Sequence, residues 1–363
     1  MARPAQAHID LDAILANYRA AKVCAPQARA MAIIKANAYG HGAVAVAHAL
    51  AEQADAFGVA CIEEALELRA AGIKQPICLL EGFFSAEEIP LMLQHQLIPA
   101  IHHAAQLALL AQYLPLCTQK TQLKVWLKLD SGMHRLGFAP EDIANAYQDL
   151  TALPVQVLGL MTHFARADEL TCPYTQTQWQ LTQQWAQSLN LALCCANSPA
   201  TLAWPSTHAD WIRPGIMLYG ATPIPEAQTP VQLRAGMRLI SQLISVRDLA
   251  AGEGVGYGQT FVTSQPSRIG VVAMGYADGY PRHAPSGTPV YLEKLGACVP
   301  LIGRVSMDML AVDLSTYAQA QVGDTVELWG PHLPINQVAE AAQSIAYELL
   351  TKVTARVPRY YHY

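Results

Sequence analysis

Between residues 31 and about 220, short apolar runs alternate with helix-like stretches. The runs cover residues 30–35, 56–62, 76–81, 97–101, 123–130, 155–163, 191–197 and 211–219. Their length and near-continuous apolar character suit strands buried on both faces, as in a parallel sheet. Residues 62–71, 86–94, 140–150 and 174–189 lie between them and are rich in Ala, Leu and Gln, which suits crossover helices. Eight such alternating units predict a (β/α)₈ barrel over residues 1–225. Beyond Pro223, Pro225 and Pro230 the pattern changes. Residues 237–249, 267–276, 289–291, 299–314 and 325–330 read as strands between Gly, Pro and Asp turns, so 226–363 is predicted to be a predominantly β domain. One helix is expected there, over 335–351. No short fixed-period repeat or low-complexity tract is present, which excludes a solenoid.

At 363 residues the chain exceeds what one core usually serves, in keeping with two domains. It is 52% hydrophobic and 14% charged, yet no uninterrupted apolar run approaches the ~20 residues of a membrane span. The N-terminus lacks the charged-then-apolar layout of a secretory signal, and the eight cysteines form no Cys-x-x-Cys pair, so a reducing cytoplasm is expected. A net charge of -5 without basic blocks gives no reason to expect nucleic acid or an anionic membrane as partner. A small-molecule ligand fits better.

Candidate chemistry gathers at the predicted strand ends, where a (β/α)₈ barrel carries its catalytic groups. Lys35 closes the first run; a desolvated lysine has a lowered pKa, so its neutral amine is available to attack an aldehyde cofactor. Lys128 and Asp130 end the fifth run, with Arg135 following; His163 ends the sixth and Asn197-Ser198 the seventh, while Arg213-Pro214-Gly215 lies on the eighth. Singly, each has a plainer reading: Lys35 snorkelling from a strand end, His163 a satisfied core histidine, Lys128 paired with Asp130, Ser198 a helix cap before Pro199. Their coincidence at one end of the barrel points to a site.

The stretches Lys35 to Gly42, Lys128 to Gly137, Thr162-His163-Phe164-Ala165, Asn197-Ser198 and Arg213 to Ile216 occur in the order in which alanine racemases carry them. Val255 to Gly258, Gly275 to Gly279, Gly303 to Asp308 and Arg356 to Arg359 continue the series. The chain thus resembles the alanine racemase family, pyridoxal-phosphate enzymes of fold type III, from the first barrel strand to the C-terminus.

The resemblance implies pyridoxal 5'-phosphate as cofactor, no metal, and a racemase that interconverts L- and D-alanine with two bases. Lys35 would carry the cofactor on its amine and act as one base. Tyr257 would be the other, reaching the partner's site in a homodimer. A free tyrosine titrates near ~10 and needs nearby positive charge or hydrogen bonding to its phenolate to serve as a base at neutral pH, a network that His163 and Arg213 would supply. The phosphate would rest on Tyr39, Ser198 and the amides of Gly215 and Ile216, beside Asn197. Arg213 would donate to the pyridine nitrogen; an arginine keeps its proton, which damps the electron sink and favours simple proton exchange. Arg135 would contact the cofactor and the substrate carboxylate, with Met307 offering its N–H to the same carboxylate. Lys128 stands where many members carry a carbamylated lysine. Asp168, Tyr276 and Arg304 would lie at the entrance. Some relatives have a tyrosine where Ala355 stands here, which implies a wider mouth or a substituted contact from Tyr347. The implied role is D-alanine supply for a cell wall or catabolism of one enantiomer.

Other functions remain open at this stage. A broader-specificity amino-acid racemase would share every motif, and comparable rates for alanine and larger amino acids would reveal it. A non-catalytic pyridoxal-phosphate barrel protein would be single-domain and would lack Tyr257. A decarboxylase would be expected to carry an acidic partner for the pyridine nitrogen in place of Arg213. A metal hydrolase would need a His-x-His pair at the end of the first strand, which this chain lacks.

Overall fold

The computed structural model describes residues 3–117, 122–225 and 228–363. The expected boundary at 225/226 adjoins residues 226 and 227, which lie outside the described residues. The chain opens with strand β1 (Gln6–Asp10), followed by a helix over Leu11–Cys24 whose first turn is capped by Asp10, its carboxylate accepting from the Ala13 N–H at 2.7 Å.

Eight parallel strands then close into a barrel: β2 (Arg29–Ile33), β3 (Ala56–Val59), β4 (Ile77–Leu79), β5 (Leu97–Ile101), β6 (Leu123–Lys128), β7 (Val155–Met161), β8 (Leu193–Ala196) and β9 (Trp211–Ile212). Each falls within or beside an expected run. The ring closes where Arg29 stands opposite Trp211 and Ala30 opposite Ile212. Strands β3 and β5 are buried at every residue, which is why they read as unbroken apolar runs. Outside, helices such as Ile62–Ala70 bury one stripe, here Ile62, Ala65 and Leu68.

The remaining strands are β10 (Met237–Leu249), β11 (Gly254–Val255), β12 (Phe261–Val262), β13 (Ser267–Val272), β14 (Pro289–Leu292), β15 (Ala297–Ile302), β16 (Leu310–Asp313), β17 (Thr325–Trp329) and β18 (Arg359–His362). Antiparallel pairing runs in a closed circuit through β10, β13, β16, β15, β14 and β17. β1 joins this sheet, antiparallel to β10 and parallel to β18. It has no counterpart among the eight expected runs, because its burial alternates, Ala7 and Ile9 in and Gln6, His8 and Asp10 out.

Two expectations in this half are corrected. Residues 299–314 form two strands, β15 and β16, joined by a loop over 303–309. The single helix expected over 335–351 is two, Ile335–Ala341 and Ala346–Lys352. Gln343 adopts a φ of 53° between them, and the Ser344 N–H reaches back to the Ala339 carbonyl at 2.8 Å, the wrap that ends a helix through a left-handed residue. After this turn Ile345, Tyr347, Glu348 and Thr351 line the cavity at the mouth of the barrel. Among the described residues no helix is long and apolar enough to cross a membrane.

Candidate active site

Lys35 does not end a strand, as expected, but follows one. β2 stops at Ile33, and Lys35 begins a turn in which Ala36, Asn37, Ala38 and Tyr39 have φ of 51, 54, 51 and 51°. Left-handed backbone costs L-residues roughly 1–2 kcal/mol each, so the turn needs support. Glu64 accepts from the N–H groups of Ala36 and Ala60, both at 2.7 Å. Asn37 accepts from the Ala43 N–H at 2.8 Å through its side chain and from the Gly42 N–H at 2.9 Å through its carbonyl. Gly40 and Gly42 follow with φ of 80 and 99°; a Cβ would strike the Leu350 carbonyl at the first and the Tyr361 hydroxyl at the second. The turn delivers both Lys35 and Tyr39 to a cavity of about 800 Å³ at the C-terminal end of the barrel.

Residues after six different strands converge there. Lys128, Arg135, His163, Asn197, Ser198, Arg213, Gly215 and Ile216 all line the same cavity, as does Glu81 from the end of β4. Arg213 is 4% exposed. Its Nη2 donates to the carbonyls of Thr162 (2.6 Å) and Cys195 (3.1 Å) and to His163 Nδ1 (3.2 Å). Its Nη1 donates to the carbonyl and sulfur of Cys194, and among the described residues its Nε has no hydrogen-bond partner. Burial, then the charges of Arg213, Arg135, Lys128 and Lys35, hold His163 well below its ordinary range. The imidazole is therefore neutral, with Nδ1 as acceptor.

The cavity is strongly cationic. Burial lowers the Lys35 pKa, with Arg135 and Arg213 adding to the effect while Glu81 and Glu64 oppose it. Burial, then Arg213 and Arg135, pull Lys128 down to about 8. Lys128 Nζ donates to the Leu80 carbonyl at 3.3 Å. Its pairing with Asp130 does not occur: that carboxylate accepts from the N–H groups of Gly132 and His134 and from the His134 ring.

One corner of the cavity is a set of neutral donors. Ser198 Oγ accepts from the Gly215 N–H at 2.8 Å, and the Ile216 N–H opens a 3-10 turn, where no intrahelical partner exists. A Cβ on Gly215 would come within 2.7 Å of the Tyr39 hydroxyl, so glycine keeps the corner open. Burial pushes the Tyr39 phenol up to about 12, leaving it a hydroxyl donor. Tyr39 stacks on Tyr219 at 4.8 Å, and Tyr347 leans on it at 6.0 Å. Asn197, rather than Ser198, caps the helix Ser198–Ala203, accepting from the Ala200 N–H at 3.2 Å.

The other expected residues are elsewhere. Tyr257, Tyr276, Arg304 and Met307 do not line the cavity. Tyr257 stands 70% exposed between Gly256 and Gly258, whose φ are 71 and 72°. Arg304 lies against Gly258, while Tyr276 and Ala277 donate their N–H groups to the carbonyls of Ser306 and Met307 at 3.1 and 3.0 Å. Met307 is 52% exposed. Asp168 is exposed on the loop after β7, close enough for its charge to join burial and Tyr39 in raising the Tyr347 phenol.

Family models described as the N-terminal and the C-terminal domain of alanine racemase match residues 9–223 and 236–361. The chain belongs to the alanine racemase family. The alanine racemase of Chromohalobacter salexigens is 53% identical to it, over 99% of this chain and 98% of that one. The solved structure of the biosynthetic alanine racemase from Pseudomonas aeruginosa has a TM-score of 0.92 and 49% identity, covering 99% of this chain and all 100% of that one. The alanine racemase from Bartonella henselae, solved with covalently bound pyridoxal phosphate, has a TM-score of 0.89 at 31% identity, with 99% of each chain covered. This chain is accordingly an isomerase of L- and D-alanine.

The racemase's cavity fits such a cofactor on its own geometry. An amine of lowered pKa and a buried arginine line it, and hydroxyl and N–H donors border a space that only glycine leaves free. Sequence reasoning overlooked Glu64 and Tyr219. Glu64 sits on a helix outside the barrel, and the Tyr219 hydroxyl donates to the Ile33 carbonyl at 2.8 Å; neither residue type nor spacing signals these contacts.

Proposed function

We propose that this alanine racemase holds pyridoxal 5'-phosphate on Lys35 and works as a homodimer, with Tyr257 of the partner subunit completing each cavity. The observation that carries this reading is the division of the expected residues. One set lines the cavity; Tyr257, with Arg304, Met307 and Tyr276, is displayed on the β half away from it. A large exposed tyrosine between two glycines has little structural use in a monomer, and an isologous contact would give it one.

In this reading the division at 225/226 separates the barrel, which binds, from the β half, which supplies the second base. Tyr39, Ser198 and the Ile216 amide would hold the phosphate, joined by the Gly215 amide once it turns from Ser198 Oγ, with Asn197 fixing the helix that carries Ser198. When bound, pyridoxal phosphate draws electrons from the amino acid's Cα and so acidifies its proton. Arg213, fixed through Nη1 and Nη2 and braced by His163, would offer its Nε to the pyridine nitrogen. Lys35 would exchange the Cα proton on one face, taking it as the neutral amine and returning it from the ammonium, and Tyr257 would do so on the other as phenolate and hydroxyl, as inversion requires. Arg135 and the Met307 N–H orient the carboxylate, while Asp168, Tyr276 and Arg304 border the entrance. Tyr347 leans on Tyr39 and narrows the mouth where Ala355 offers nothing, which favours alanine over larger substrates. A cytoplasmic location is part of the same proposal, in keeping with eight cysteines that form no disulfide among the described residues.

The test is direct. Protein freed of cofactor and then reconstituted with pyridoxal phosphate should convert L-alanine to D-alanine by chiral chromatography and sediment as a dimer. A protein that binds the cofactor but leaves L-alanine unchanged would favour a carrier, and a strict monomer with full activity would refute the shared site.

Lys128 is proposed to be carbamylated, giving the cationic cavity an anion beside Arg135. Carbon dioxide reacts with neutral amines only. A lysine with a pKa of about 8 is roughly one-tenth neutral at pH 7, against less than about a thousandth for an ordinary lysine. Protein in ¹³C-bicarbonate should therefore show a carbamate carbon signal that grows from pH 7 to 8 and is absent from Lys128→Ala. No signal at either pH would rule the modification out.

A further inference from the structure

We infer that His41 is a positioning residue, which grips the left-handed turn at Ala38 and Tyr39 and so sets the placement of Lys35 relative to the phosphate corner. The inference rests on the reading of Lys35 and Tyr39 as cofactor ligands.

His41 is fully buried. Its Nδ1 lies 3.0 Å from the carbonyl of Ala38 and 3.0 Å from that of Tyr39. Two carbonyl oxygens can be met only by a donor, so Nδ1 carries the hydrogen. That leaves Nε2 as a buried acceptor, and it has no partner among the described residues. Burial holds the ring neutral, with a pKa of about 4. A buried histidine with one orphaned nitrogen is poor packing chemistry; what it gains is a two-pronged hold on consecutive peptides of a strained turn. The ring also leans on Tyr219 at 4.5 Å, and Tyr219 stacks on Tyr39 and donates to the Ile33 carbonyl. The pair thereby holds both ends of the turn, Ile33 two residues before Lys35 and Tyr39 four after. Arg359 adds a third hold, donating to the Gly40 carbonyl at 2.6 Å. Released from these contacts, Ala36 to Tyr39 would drift toward the right-handed region that L-residues prefer, moving Tyr39 against Lys35.

Two substitutions separate this role from simple core filling. His41→Asn keeps a donor where Nδ1 stands but loses ring volume; His41→Phe keeps the volume and loses the donor. The affinity of each apoprotein for pyridoxal phosphate and its melting temperature are measured beside wild type. His41→Phe should bind the cofactor about tenfold more weakly, the ratio corresponding to one ordinary hydrogen bond, and His41→Asn should come within about threefold of wild type despite its lower melting temperature. Wild-type affinity in His41→Phe, or equal weakening in both variants, would overturn the inference. Should His41→Phe fail to fold, Tyr219→Phe decides: weaker cofactor binding supports the two-ended grip, and unchanged binding refutes it. Failure of wild type itself to bind the cofactor would overturn the reading beneath the inference, and the inference with it.

Discussion

Replacing Lys35 with alanine is expected to cut D-alanine formation by at least about 10³-fold, because it removes a nucleophile and a proton acceptor at once, and positioned proton transfer alone is worth roughly 10²–10⁴. The amine is suited to both tasks. Burial lowers its pKa, so the neutral form is more populated than in an exposed lysine, and Glu81 and Glu64 moderate the shift without pairing tightly enough to occupy it. The variant should still bind pyridoxal phosphate, since Ser198, Gly215, Tyr39 and Arg213 are untouched. The bound cofactor should lose the visible absorption of a lysine-linked aldehyde and should dialyse away. Chiral analysis of alanine and an absorbance spectrum, taken on the same sample, check both statements. Near-wild-type turnover in Lys35→Ala would remove Lys35 from the mechanism; an unchanged spectrum would place the covalent link on another amine.

The barrel was legible because strands buried on both faces cannot hide. β3 and β5 are buried throughout, and nothing but an apolar run can fill such a place. The cavity residues were legible for a related reason: Lys128, His163 and Arg213 interrupt or follow apolar runs at positions where an unused polar group would be costly. The rest depends on contacts distant in sequence. β1 pairs with a strand more than two hundred residues away, and its alternation fits any half-buried strand. Ala36-Asn37-Ala38 holds no glycine to signal a left-handed turn, yet runs left-handed, with Glu64 and His41 bonded to its peptides. The break at Gln343 carries no glycine to announce it, and the helix that follows it carries Tyr347 to the cavity. Tyr257 lies outside the cavity that Lys35 lines, a separation that the local pattern around neither residue encodes.

That separation yields the second large effect. Tyr257→Phe removes only a hydroxyl from a side chain that makes little contact within its own subunit, 70% exposed in the single chain, so each subunit should fold as the wild type does. Activity should nevertheless fall by roughly 10²–10⁴ if the hydroxyl moves a proton. Mixing this inactive variant with inactive Lys35→Ala distinguishes two geometries. If each site takes Lys35 from one subunit and the tyrosine from its partner, a mixed dimer holds one doubly damaged site and one intact site. Random reassociation of equal amounts makes about half of the dimers mixed, so roughly a quarter of wild-type activity should return. If lysine and tyrosine act within one subunit, every site in the mixed dimer lacks one of them and no activity returns. The exchange needs only mild dissociation and re-equilibration, with a rise in D-alanine production as the readout. Recovery near a quarter would establish a shared site without any structure of the dimer; a mixture as inactive as its components would mean that Tyr257 serves its own chain or does not move the proton at all.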